Sequence, residues 1–381
     1  MSSGRKSRAE PTNSRRISNR EKTPVKSEQG TNDMHAHSIK EFLNDVPVEP
    51  MRAEYCRIKE TDLTKYVLRF DAFAAKKKEN RKFNRYHNVF PYDYNRIILE
   101  TPVDGSDYLN GSYITGPKSH FSGKTKDPEA IEGSDLSKYS NINFLATQGP
   151  LPETSEQHWR AIYENDVDIV VMLTRVKEGD KEKCIAYWPE LGLPIRYGPY
   201  EFVLNDESEL RPGVIRRDFL MMDCETDDYY SDKEVIHLQY IEWPDYGVPQ
   251  EMDHLLKTVN EVRDIISAQK GRREKFNILV HCSAGVGRTG SFFALYQLME
   301  KVEEIVKSKN KTSKDNPGAN ALNANKDVIN IYDTVLSLRS KRVEMVQSWE
   351  QYRYLYGSVV AYARQLSGLP PLVQNKTSKT T

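Results

Sequence analysis

The chain has 381 residues, a net charge of zero at neutral pH and four scattered cysteines, Cys56, Cys184, Cys224 and Cys282. The length fits one large domain with tails or two small domains, and the charge balance removes any bulk electrostatic case for nucleic acid. The cysteines lack metal-ligand spacing, and no membrane-length apolar run or leader core is present, which points to a reduced, cytoplasmic setting with nuclear entry left open.

Residues 1–38 are rich in Ser, Arg, Lys, Asn and Pro and hold almost no large apolar side chain. Such a segment cannot bury enough surface to offset its ordering entropy and reads as a disordered tail. It carries two kinase-site-like patterns, Arg15-Arg16-Ile17-Ser18 and Thr23-Pro24. A catalytic domain is expected over 39–368. Helical pattern fills the forties to the seventies, and strands follow at 96–99, 108–114, 143–147, 169–173, 201–204, 214–222 and 234–241. Helices are expected over 159–165 and over 252–268, where Leu255, Val259, Val262 and Ile266 share one face. Residues 307–327 turn to Lys, Asn, Ser and Gly and read as a polar loop insertion. Helices resume over 328–340 and 350–366, and 369–381 reads as a second disordered tail. Mixed strands and helices imply an α/β (α+β) fold, a twisted mixed sheet flanked by helices.

The chemistry concentrates in Val280-His281-Cys282-Ser283-Ala284-Gly285-Val286-Gly287-Arg288-Thr289-Gly290. Asn277–Val280 before it reads as a buried strand and Ser291–Met299 after it as a helix. A Gly-rich turn from a strand into a helix converges backbone N–H groups and the positive helix end on one point, an anion site. Cys282 opens that turn, where a thiolate is favoured over a thiol, and the planar donor fork of Arg288 suits two phosphate oxygens. A buried cysteine beside a surface arginine would explain those two residues, but not the histidine, the paired glycines and the following helix. A second loop, Trp243-Pro244-Asp245-Tyr246-Gly247-Val248-Pro249, holds one carboxylate between hinge residues. Asp245 there could ride a lid into the site as a general acid, although alone it reads as a solvated turn residue.

These segments, with Asn84-Arg85-Tyr86, Asp107 to Ile114, Ala146 to Pro150, Lys183 to Pro189 and Arg339 to Gln351, resemble in order the motifs of tyrosine-specific protein tyrosine phosphatases. The resemblance covers most of residues 50 to 366 and is strongest to single-domain, non-receptor members of fungal type. It implies that Cys282 forms a phosphocysteine, that Arg288 clamps the phosphate, and that Ser283, Ala284, Gly285, Val286, Gly287 and Arg288 offer backbone N–H groups. It further implies that Thr289 hydrogen-bonds the sulfur, His281 fixes the loop and favours the thiolate, and Asp245 serves as acid and then base. Gln347 would position the hydrolytic water with Gln351 in support, and Glu178 would orient Arg288, with Lys183 a partner of the Asp245 loop. Tyr86 and Val89 would wall a cleft deep enough for phosphotyrosine alone, beside Asn88.

The resemblance calls for no metal and no cofactor. Its expected partners are phosphotyrosine proteins, phosphorylated kinases by analogy, and neither nucleic acid nor membrane; a monomer is expected. Neutral Ala284 and Val286 speak against an inositol-lipid substrate. His87 and Asn88 replace an Arg and an Asp found in relatives, which implies a weaker preference for acidic flanks. Glu344 stands where a Gly opens a second phosphate pocket near Arg339. A dual-specificity phosphatase is opposed by Tyr86 and the domain length. An inactive phosphotyrosine-binding module is opposed by the intact Cys282, Arg288, Asp245 and Gln347. A nucleotide-binding loop is opposed by the missing Lys-Ser/Thr ending.

Overall fold

Short runs with apolar residues at every position need a sheet covered on both faces, and the middle of this chain is built from such runs. The computed structural model describes residues 37–44, 48–61, 71–115, 141–225, 232–244, 247–249, 252–315 and 328–372. Its strands are β1 His37–Ser38, β2 Arg96–Val103, β3 Ser106–Tyr113, β4 Ile142–Thr147, β5 Ile169–Met172, β6 Lys177–Glu178, β7 Lys181–Glu182, β8 Pro194–Tyr197, β9 Tyr200–Arg211, β10 Val214–Asp223, β11 Lys233–Tyr240, β12 Phe276–His281 and β13 Val328–Ile329. Its helices are α1 Ile39–Leu43, α2 Val48–Glu60, α3 Phe73–Lys76, α4 Ser155–Glu164, α5 Asp253–Ala268, α6 Gly287–Asp315, α7 Ile331–Lys341 and α8 Trp349–Leu366.

Nine strands form one mixed sheet in the order β2-β3-β4-β12-β5-β11-β10-β9-β8. The central pairs β4–β12, β12–β5 and β5–β11 are parallel, and the outer pairs are antiparallel. Alternation within β12 sends Ile278 and Val280 to one core and Leu279 to the other, and β5 does the same with Ile169 and Val171 against Val170 and Met172. The first core includes buried residues of α5, α6, α7 and α8, and the second packs Trp159 and Ile162 of α4. Each fully buried aliphatic side chain stabilises the sheet by about 1.5–3 kcal/mol. β12, held between two parallel neighbours, is thereby a rigid mount for whatever follows His281.

The expected mixed sheet flanked by helices is observed, with differences at its edges. The described residues already include a paired strand at His37–Ser38, two residues ahead of the expected domain start, because β1 pairs with β13. The stretch read as one helical region from the forties to the seventies is broken into α1, α2 and α3. β9 runs well past Leu204 through Asp206-Glu207-Ser208-Glu209, where strand propensity is poor but pairing with β10 sets Glu207 opposite Arg217. The helix expected from Val328 starts at Ile331, where Asn330 Oδ1 caps the Asp333 N–H at 2.9 Å. The polar insertion begins as helix, since α6 continues to Asp315 and Lys307 pairs with Glu303 one turn back at 2.9 Å. The tail patterns at Ser18 and Thr23, the rest of the insertion, most of the second tail and Asp245 itself lie outside the described residues.

Candidate active site

Residues 282–286 link β12 to α6, and the shape of this loop follows from where its carbonyls go. The Cys282 carbonyl meets His281 Nδ1 at 3.2 Å, and the Ser283 carbonyl accepts from the Gly149 N–H at 2.9 Å. Arg342 takes the next two, donating from Nη2 to the Ala284 carbonyl at 3.2 Å and from Nε to the Gly285 carbonyl at 2.9 Å. In a trans peptide the N–H points opposite to the C=O. Four outward carbonyls therefore turn the N–H groups of Ser283, Ala284, Gly285 and Val286 inward. The Gly285 N–H already donates to Cys282 Sγ at 3.3 Å. Gly285 is required twice over: its φ is +70°, and a Cβ there would lie 2.0 Å from the Thr147 carbonyl oxygen.

Arg342 is the site residue that sequence reading overlooked, although it lies inside the Arg339–Gln351 motif. It is fully buried and also donates to Asn110 Oδ1 at 2.7 Å and Ser112 Oγ at 3.2 Å. Burial pulls it down to about 10, which leaves it a cation at neutral pH beneath the loop. An arginine in a basic stretch between two helical patterns carries no signal of burial; only the polar Asn110 and Ser112 on an otherwise buried strand hint at a partner.

Arg288 opens α6, and both its terminal nitrogens reach Glu178, Nη2 to Oε2 at 2.9 Å. Nη1 also donates to Thr174 Oγ1 at 3.1 Å and Nη2 to the Pro244 carbonyl at 3.2 Å, tying the arginine to the start of the Asp245 loop. Glu178 is buried and is completed by Thr174 Oγ1 at 3.0 Å and Lys183 Nζ at 3.6 Å. The structure thus brings Glu178, Lys183 and Arg288 together.

Tyr86 reaches the same loop from the other side, its hydroxyl 2.9 Å from Ser283 Oγ. Ser283 gives its own proton to the Lys183 carbonyl at 2.8 Å, so Tyr86 is the donor. Arg85 donates to the carbonyls of Gly149 and Pro150 at 3.0 and 2.6 Å, and Asn110 Nδ2 holds the Val89 carbonyl at 2.8 Å. Val89 is buried, whereas His87 and Asn88 are exposed at the rim.

On the remaining side, Gln351 Oε1 accepts from the Gln347 N–H at 2.9 Å, and a Cβ on Gly287 would lie 2.8 Å from Gln351 Nε2. Gln347 Nε2 donates to Glu344 Oε2 at 2.9 Å, so this carboxamide is turned to Glu344. Arg339 is buried and donates to the carbonyls of Met345 and Val346, both at 3.0 Å. Thr289 departs from its expected contact. Its buried hydroxyl has no hydrogen-bond partner among the described residues, so the bond to sulfur is not made here. None of the described residues form a metal-binding cluster.

Behind the loop lie three buried imidazoles. Burial, with Arg85 nearby, pushes His281 down to about 4; burial also holds His158 and His237 far below the usual range. All three are neutral in the fold but take up protons near 6.5 once the chain unfolds. The unfolded state then binds more protons, so stability is present above about pH 6.5 and is lost as pH falls, by about 1.4 kcal/mol per pH unit for each imidazole. Asp333, raised to about 6 by burial and Glu54, opposes this trend only at lower pH. The urea midpoint should therefore fall between about pH 7.5 and about pH 6, less steeply in His158→Phe, since the His158 ring nitrogens have no hydrogen-bond partner among the described residues. A flat profile would contradict neutral burial.

The family profile described as Protein-tyrosine phosphatase matches residues 80–361. The chain is 32% identical over 311 residues to human receptor-type tyrosine-protein phosphatase eta, covering 81% of this chain and 20% of that protein. It is 32% identical over 316 residues to human receptor-type tyrosine-protein phosphatase C, again 81% of this chain and 20% of the relative. With receptor-type tyrosine-protein phosphatase F of Danio rerio it shares 31% over 287 residues, 74% of this chain and 12% of the relative. The chain thus spans about a fifth or less of the length of these relatives.

Proposed function

This chain belongs to the protein-tyrosine phosphatase family, and from that premise we propose that it hydrolyses phosphotyrosine in proteins through a phosphocysteine on Cys282. The observation that carries the reading is the inward set of N–H groups around Sγ, fixed by carbonyls that all have other partners. Such donors match the equatorial oxygens of a phosphoryl group in flight and need no reorganisation as charge develops. Arg288, held by Glu178, supplies two further donors, Nε and the Nη2 proton that leaves the Pro244 carbonyl as the phosphate enters. Asp245 protonates the departing tyrosine oxygen and then takes a proton from water, which Gln347 positions with Gln351 in support. Thr289 gains its sulfur contact as the thiolate becomes the leaving group. Tyr86 and Val89 set the depth that selects phosphotyrosine.

The finer assignment, a non-receptor enzyme of fungal type, rests on the motif resemblance alone. Monomeric action in the cytoplasm, with phosphorylated kinases among the substrates, is part of the same proposal. It is supported by the need of a reactive thiolate for a reduced compartment and by four free cysteines. No described helix is long and apolar enough to cross a membrane.

The direct test is Asp245→Ala. Loss of the acid should lower kcat on a phosphotyrosine peptide by about 10²- to 10⁴-fold with little change in KM, and the variant should retain bound substrate. Equal turnover would remove Asp245 from the mechanism. Rapid hydrolysis of a phosphoserine peptide by the unmodified enzyme would remove Tyr86 as selector of depth. Glu344 makes a second expectation, since its carboxylate repels a second phosphate and Arg339 is committed to backbone carbonyls. Peptides with adjacent phosphotyrosines should gain nothing over singly phosphorylated ones. Glu344→Gly, at a φ of +55°, should raise their kcat/KM by about three- to tenfold.

A further inference from the structure

His281 does not stand alone behind the loop. Its Nε2 is 2.8 Å from the Tyr187 hydroxyl, which is 2.8 Å from Nε2 of His237, and His237 Nδ1 is 3.5 Å from Arg217 Nη1. Arg217 in turn donates from Nε to Glu207 Oε2 at 2.5 Å and from Nη1 to Gln239 Oε1 at 2.9 Å. His237, Tyr187 and Arg217 are all buried, whereas the Glu207 carboxylate reaches solvent on β9. Five elements thus carry one polar line from an outer strand to the nucleophile: β9, β10, β11, the segment ahead of β8 and β12.

Donor arithmetic gives this line a direction. A carbonyl can only accept, so His281 carries its proton on Nδ1, toward the Cys282 oxygen. Being neutral, it leaves Nε2 bare, and Tyr187 must donate there. The single Tyr187 proton is then used, so His237 must donate from Nε2. Its bare Nδ1 accepts from the Arg217 guanidinium. Every link points toward Cys282, and each donor polarises the next. Reversing one imidazole would set two donors or two bare lone pairs face to face in a dry site. The charged and titratable groups that face His237 are Arg217, His281 and His158, and His158 stands edge-on to both Tyr187 and His281.

We propose that Arg217 and His237 are positioning residues of the thiolate loop, acting through Tyr187 to hold His281 in the tautomer that pins the Cys282 carbonyl. That carbonyl determines which way the Ser283 N–H faces, so the relay shapes the anion site from the far side of the sheet. The proposal rests on Cys282 being the reacting thiol, yet the tautomers can be read without turnover.

Long-range nitrogen–proton NMR of the imidazoles in the full chain at pH 7 should find His281 protonated on Nδ1 and His237 on Nε2. The opposite tautomer at either residue overturns the relay. Alkylation of Cys282 by iodoacetamide at pH 6, read on its own peptide because Cys56 and Cys224 are exposed, gives the functional arm. His237→Leu should slow it about three- to tenfold, and His237→Gln, which restores an N–H near the same place, should recover most of the rate. Tyr187→Phe should slow it similarly, and adding His237→Leu to Tyr187→Phe should cost nothing more. A wild-type rate in His237→Leu, or an additive loss in the double variant, would overturn the proposal. Should a variant fail to fold, the tautomers of the unmodified protein decide.

Discussion

Cys282→Ser should lower turnover of a phosphotyrosine peptide by about 10⁴-fold or more while leaving affinity for that peptide within a few fold of wild type. The expectation comes from the division of labour within the loop. Sγ supplies the electron pair, but the loop's shape does not depend on it. The carbonyls of Cys282, Ser283, Ala284 and Gly285 are held by His281, Gly149 and Arg342, and none of those bonds uses the side chain at 282. A serine hydroxyl is close in size and a far poorer nucleophile at neutral pH, so the anion site survives and the chemistry does not. Single-turnover kinetics and calorimetric binding of the same peptide separate the two quantities. Turnover within tenfold of wild type would place the nucleophile elsewhere.

Arg288→Lys should be nearly as damaging, with kcat/KM reduced by about 10²- to 10⁴-fold and only a small change in thermal midpoint. Arg288 spends its terminal nitrogens on Glu178, Thr174 and the Pro244 carbonyl. A lysine keeps one charge beside Glu178, so the buried carboxylate is not left without a cation and the fold persists. It cannot hold Glu178 and two phosphate oxygens together, because an ammonium is a point charge rather than a planar fork. Kinetics paired with a thermal melt make the check. Near-wild-type kcat/KM in Arg288→Lys would show that charge alone suffices, contrary to the clamp described above.

Those two residues were also the parts of the site most legible in the sequence, because their signal is local. Cys282, the glycines and Arg288 sit on one loop whose flanking strand and helix can be read from pattern alone. Glu178, Tyr86 and Gln347 required the family resemblance, since each comes to the loop from a distant element. Arg342 and the His237–Arg217 pair escaped notice for a plainer reason. A charged or polar residue on a strand or helix signals solvent by default, and burial becomes apparent only when the elements around it are assembled. The fold followed the same division. β5 and β12 were legible because burial on both faces leaves a continuous apolar run. The acidic half of β9 was not, because its strand conformation is imposed by pairing with β10 rather than by its own residues. The break between Ile329 and α7 was hidden in the same way, since Val328 and Ile329 fit a helix pattern until β1 claims them.

The central claim is tested most directly by quenching the reduced, unmodified enzyme in acid during turnover of an aryl phosphate and mapping phosphate by mass spectrometry. The peptide containing Cys282 should carry one phosphoryl group on sulfur, with none on the exposed Cys56 or Cys224. Turnover without any phosphoryl group on Cys282, or with one on another residue, would contradict the account.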